Sequence, residues 1–159
     1  MRRPPSLALT FILATVTLDA IGIGLIFPVM PDLMKEVTGG NLAQSAVWGG
    51  VLATSFAIMQ FLFGPVMGSL SDRYGRRPIL LISLGAMGID YLAMAMAPTI
   101  LLLLIARIIS GIASATYATA TAYIADITPP EDRARRFGLI GAGFGVGFVA
   151  GPLIGGVVA

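Results

Sequence analysis

The sequence predicts an all-α integral membrane protein of five spanning helices, and three observations carry that prediction. Hydrophobic residues make up 57% of the 159 and charged residues only 11%, with a mean hydropathy of +0.91; a soluble domain needs roughly a quarter of its residues charged. The apolar residues fall in long runs, each at least as long as the roughly 20 residues that cross a hydrocarbon core. Most basic residues gather in three short clusters between or before those runs: Arg2 and Arg3, then Arg73, Arg76 and Arg77, then Arg133, Arg135 and Arg136. That is the pattern of cytoplasmic loops, so the sequence pI of about 9.4 reflects topology and not nucleic-acid binding.

The first span starts at Leu7 and covers approximately residues 7–30, apolar apart from Asp19 and small hydroxyl side chains. Its run is too long for the core of a signal peptide, and it reads as uncleaved. Pro31 to Ser45, with Lys35, Glu36 and a Gly-Gly-Asn turn signal, is expected as the first extramembrane loop. The second span, approximately 47–70, carries no charge and only Gln60 beyond small hydroxyl groups. Between Pro78 and Ala125 the only charges are Asp90 and Arg107, over about twice the length one span requires, so the chain turns once. Pro98 is the natural point, because proline favours a helix start over its interior. The third and fourth spans then cover approximately 78–97 and 99–125, and a glycine-rich fifth covers 135–159, with cytoplasmic loops at 71–77 and 126–134. All three basic clusters fall on one side, which places the amino terminus in the cytoplasm.

A charge buried in lipid is costly and usually faces a cavity or a partner, so the polar residues inside the spans are the informative ones. At 1.5 Å per residue, Asp19 lies about 18 Å into the first helix, Gln60 about 18 Å above Asp72, Asp90 about 18 Å above Pro78, and Arg107 about 13 Å below Pro98. Four polar groups on four helices share one depth, as expected of a transporter whose substrate and ion sites lie near the midplane. The plainer reading is a structural Asp19–Arg107 ion pair, with Gln60 as an interhelical hydrogen-bond donor. The chain has no histidine and no cysteine, so any proton chemistry falls to carboxylates, and neither a nucleophile nor a metal-ligand cluster is expected.

The most specific feature is Gly68-Ser69-Leu70-Ser71-Asp72-Arg73-Tyr74-Gly75-Arg76-Arg77-Pro78. Here Gly75 permits a tight reversal, Gly68 a close helix approach, and Asp72 can pair with an arginine. The stretch resembles the loop signature of the major facilitator superfamily. Leu18 to Pro31, with its Asp and paired prolines, looks like the first-helix motif of the drug/proton antiporters of that superfamily, and Arg107 with Gly111 resembles their fourth-helix motif. Gly147 to Gly156, including Gly151, Pro152 and Gly155, resembles the fifth-helix motif that marks antiporters. Apart from any resemblance, Gly143, Gly147, Gly151 and Gly155 recur every four residues and form a groove for another helix.

Within the superfamily the chain is most similar to the tetracycline/proton antiporters, through Leu18-Asp19-Ala20, Gln60, Leu70 to Pro78, Ile89-Asp90-Tyr91 and Ala122 to Thr128. The resemblance implies export of a metal–tetracycline chelate in exchange for a proton across a bacterial cytoplasmic membrane. Asp19, Gln60 and Asp90 would lie on the substrate path with Arg107 in support, and Asp126 would pair with Arg76 or Arg133 as part of a cytoplasmic gate. No catalytic residue and no cofactor is implied; magnesium enters only with the substrate. Transporters of this type use two six-helix halves. Five spans make a partial major facilitator fold, so the sixth helix and the carboxy-terminal half are expected partners, and this polypeptide alone is expected not to transport. The alternatives are a multidrug/proton antiporter of the same superfamily, or a membrane fragment that acts only through a partner chain.

Overall fold

The computed structural model describes residues 5–96 and 99–158; the Arg2 and Arg3 cluster and the Pro98 turn lie outside the described residues. Six helices follow one another: α1 Pro5–Val37, α2 Leu42–Tyr74, α3 Arg76–Met96, α4 Ile100–Ala113, α5 Thr116–Ile127 and α6 Pro130–Val158. Because α4 and α5 run on as one apolar stretch, the described residues hold five helices long and apolar enough to cross a membrane.

The helix ends depart from the sequence expectation in one consistent way: polar residues at the ends of the spans are helical. The stretch from Pro31 was expected as loop, yet α1 continues to Val37. Met34 is buried against Leu52, Met94 and Leu103, with Leu33 and Val37 packed beside it, while Asp32 and Lys35 pair outward at 2.9 Å. The real turn is Thr38 to Asn41. Gly39 and Gly40 adopt φ of +69° and +84° there, a region open to glycine. Asn41 then caps α2 by accepting from the Gln44 amide at 3.1 Å.

The expected loop 71–77 is likewise almost all helix. Ser71 to Tyr74 finish α2, and α3 starts at Arg76. Gly75 alone reverses the chain, at φ +99°, as its place in the motif suggested. The expected loop 126–134 shrinks to Thr128 and Pro129. Pro130 takes the first helical position of α6, where its missing amide costs nothing, and Glu131 and Asp132 follow in the first turn, where carboxylates suit the helix dipole. The fourth span, by contrast, is not continuous: Ser114 and Ala115 leave helical geometry between α4 and α5.

Two apolar clusters stand at opposite ends of the bundle. Ile12, Val16, Leu80, Ala120, Ile124 and Ile140 form one, and Met34, Leu52, Met94 and Leu103 the other. On α1 and α3 the polar residues Asp19 and Asp90 lie in the sequence interval between those clusters, so the packing leaves a polar middle layer.

The tightest seam joins α1 to α6 along the glycine stripe. A Cβ placed on Gly147 would stand 2.5 Å from the Thr17 carbonyl oxygen, and one on Gly155 2.7 Å from the Pro28 ring. One on Gly151 would run into the Ile21 carbonyl and Gly24. Only glycine lets the two backbones approach this closely. Gly156, from the same motif, faces open space, and so does Gly68, so the close helix approach expected at Gly68 is not made. Large apolar side chains such as Phe61, Leu101, Leu153 and Val157 point outward, as suits a bilayer-facing surface.

Candidate functional site

Between the two apolar clusters lies a cavity of about 770 Å³. It is lined by Asp19 from α1, Gln60 from α2, Asp90 and Tyr91 from α3, Arg107 from α4, and Ser114 and Thr116 from the break. The four polar residues singled out by depth in the sequence therefore meet around one space.

The geometry separates their roles. Asp90 is 2% exposed, and its Oδ2 lies 3.6 Å from Arg107 Nη2. That is an ion-pair distance and too long for a good hydrogen bond. Arg107 turns one Nη toward Met94 Sδ at 2.8 Å and lies 5.8 Å above the Phe56 ring, a cation–π contact. The arginine's ionic partner is thus Asp90; the Asp19–Arg107 structural pair entertained from the sequence does not form. Asp19, 6% exposed, has the Thr116 hydroxyl beside it. Gln60 donates through Nε2 to Ser114 Oγ at 3.0 Å.

Several buried polar atoms at this site have no protein partner: Asp19 Oδ1, Asp90 Oδ1, Arg107 Nε and Tyr91 Oη. Unmet hydrogen-bonding capacity in a low-dielectric setting is costly in a purely structural cluster. These four atoms belong to residues that line the cavity.

Three lining residues escaped assignment from the sequence. Tyr91 lies with its hydroxyl over Gly22, one turn along α1 from Asp19. Ser83 and Ser114 hold the break in the fourth span: Ser83 Oγ donates to the Ala113 carbonyl at 2.7 Å and accepts from the Ala115 amide at 3.3 Å. Helical spacing holds a signal for them, since Ser83, Met87 and Asp90 share one face of α3, and Arg107, Ser110 and Ser114 follow the same interval on the fourth span.

A second polar cluster stands at the end of the bundle that holds the Ile12, Val16 and Leu80 cluster. Arg76, in the first turn of α3, reaches Asp72 at 2.5 Å and Ser71 Oγ at 2.6 Å on α2, and Asp126 at 2.9 Å on α5. Of the two partners considered for Asp126, the structure selects Arg76. Arg133 instead donates to the carbonyls of Ala125 and Thr128, at 3.1 and 3.2 Å, and so closes the end of α5. Arg73 lies over Tyr74 at 5.5 Å and Arg77 over Phe11 at 5.2 Å.

Residues 12–159 match the family model of the Major Facilitator Superfamily. The chain is 55% identical over 95% of its length to the class C tetracycline resistance protein of Escherichia coli, and 34% identical over 97% to multidrug resistance protein 1 of Bacillus subtilis. It spans 38% and 39% of those relatives, respectively. The crystal structure of the human organic anion transporter MFSD10 superposes with a TM-score of 0.83 at 26% identity, over 99% of this chain and 43% of that one.

Proposed function

Given that the chain belongs to the Major Facilitator Superfamily, we propose that it forms the drug- and proton-binding part of an antiporter that exports tetracycline, as a metal chelate, across the bacterial cytoplasmic membrane. The observation that carries the reading is the single cavity in which Asp19, Gln60, Asp90 and Arg107 meet from four spans. A cationic chelate is drawn to two buried carboxylates, each of which has an oxygen without a protein partner. Antiport follows if drug and proton compete there, because a carboxyl group that has taken a proton no longer attracts the chelate. Release of Asp90 also frees Arg107, whose only ionic partner among the described residues is Asp90. Charge at α3 and α4 is then coupled to occupancy, and a ligand shifts a conformational equilibrium by such differential contacts.

The Arg76 cluster supports a cytoplasmic gate, with the amino terminus on the same side. It ties α2, α3 and α5 together through exposed ion pairs that can part at modest cost. The close α1–α6 seam serves as the rigid element against which the others move.

A second reading, a multidrug/proton antiporter, is favoured by the similarity to the Bacillus multidrug resistance protein and by apolar wall residues such as Ile23, Phe56 and Phe144. Everted membrane vesicles from cells expressing the transporter that carries this sequence separate the two. pH-gradient-driven, magnesium-dependent uptake of tetracycline that Asp90→Asn abolishes supports the first. Uptake of hydrophobic cations without tetracycline moves the assignment to the second, and uptake of neither sinks both.

A further inference from the structure

The break in the fourth span is held from outside. Ser114, with φ −76° and ψ 97°, and Ala115, with φ −136° and ψ 16°, interrupt the helix between Ala113 and Thr116. Such an interruption frees backbone groups that lipid cannot satisfy, so a neighbouring helix must supply partners. Ser83 of α3 does so with a single hydroxyl. It donates to the Ala113 carbonyl at 2.7 Å and accepts from the Ala115 amide at 3.3 Å, and it is 3% exposed. The Ser114 amide turns back to the Gly111 carbonyl at 3.3 Å, which leaves its side chain to meet Gln60 Nε2 at 3.0 Å. Gly111, one turn before the break, is pressed against the Phe56 backbone of α2, where a Cβ would stand 2.6 Å from the Phe56 carbonyl oxygen, so α4 packs closely on α2 just where its helix ends.

We infer that Ser83 is a positioning residue of the transport site: it splints the discontinuity in the fourth span and thereby fixes Ser114, and through it Gln60, in the cavity wall. The inference rests on the reading of that cavity as the drug site. Ser83 need not touch substrate. Its hydroxyl keeps the two half-helices in register on α3, the helix that also carries Asp90, so a displacement of α3 on proton binding is passed to Ser114 and Gln60.

The test uses the full-length transporter that carries this chain, with Ser83→Ala and Ser83→Thr. Amide hydrogen exchange is read first, without substrate, over Gly111 to Thr119 and, as a control, over Leu101 to Arg107. Ser83→Ala is expected to speed exchange at Ala115 about fivefold, the factor equal to one net hydrogen bond of about 1 kcal/mol, leaving the control segment unchanged. Ser83→Thr, which keeps the hydroxyl, restores slow exchange. Vesicle uptake of magnesium–tetracycline is read second: KM rises by a similar factor in Ser83→Ala with kcat little changed, and Ser83→Ala adds nothing on top of Ser114→Ala.

Unchanged exchange at Ala115 overturns the inference whatever the substrate proves to be, and so does a uniform rise across both segments. Local opening without a KM effect, in a transporter that does carry tetracycline, overturns the positioning role. Absence of tetracycline uptake by the unmodified protein counts against the proposed substrate alone, and the exchange measurement then decides the splint.

Discussion

Two arginines on neighbouring helices are treated in opposite ways. Arg76 lies at one end of the bundle with Asp72, Asp126 and Ser71 all within 2.9 Å. Arg107 lies buried at the middle with one carboxylate at 3.6 Å, an Nε without a partner and a thioether as its closest acceptor. The arginine with exposed carboxylate partners is saturated and the buried one is not, the reverse of what structural economy favours, since unmet capacity costs most where the dielectric is lowest. A saturated cluster near water holds elements together and parts cheaply. An unsaturated cluster in a cavity is kept for something that comes and goes.

The largest expected effect comes from breaking the buried side. Asp90→Asn leaves Arg107 without a counter-charge, and removing one partner of a buried pair costs about 3–5 kcal/mol; thermal unfolding of the purified transporter should show it, and drug uptake should be lost. Next is the α1–α6 seam, which carries neither arginine. Gly151→Ala forces a Cβ into the Ile21 carbonyl and Gly24, an overpacking cost of about 1–3 kcal/mol. Gly145→Ala, at a position with nothing near its would-be Cβ, should stay within about 0.5 kcal/mol. Third is Arg76→Ala: its ion pairs to Asp72 and Asp126 have exposed carboxylates, so the stability loss should be about 0.2–1 kcal/mol for each pair and shrink further in high salt. A loss as large as that of Asp90→Asn would erase the contrast. The smallest is Gln60→Ala, where one interhelical hydrogen bond in a membrane is worth about 0.6 kcal/mol, visible in drug affinity before stability.

The five spans were legible because lipid imposes one length and one polarity on all of them, and a run such as Val47 to Leu70 admits no other reading. The charged members of the cavity were legible for the same reason: in a run without other charges, Asp90 and Arg107 stand out. Helix ends were not. Asp32, Asp72 and Arg133 look like loop residues, yet each sits on the polar side of a helix whose other side is anchored in the bundle or tied to a neighbouring element. The break at Ser114 could not be read from its own span either, since what stabilises it is Ser83, about thirty residues earlier on a different helix, and local propensity has no access to such a partner. Asp90, and not Asp19, as the partner of Arg107 was hidden for a related reason: equal depth fixes height in the membrane and leaves rotation about each helix axis open.

The central claim is that the unsaturated cluster binds the drug and the saturated one does not. Equilibrium binding of magnesium–tetracycline to the purified transporter, compared between Asp90→Asn and Asp126→Asn, tests it most directly. Loss of a buried charged contact worth about 1.5–3 kcal/mol should weaken binding by roughly tenfold or more in Asp90→Asn and leave Asp126→Asn near the unmodified value. Equal losses in the two variants, or none in Asp90→Asn, would contradict the account.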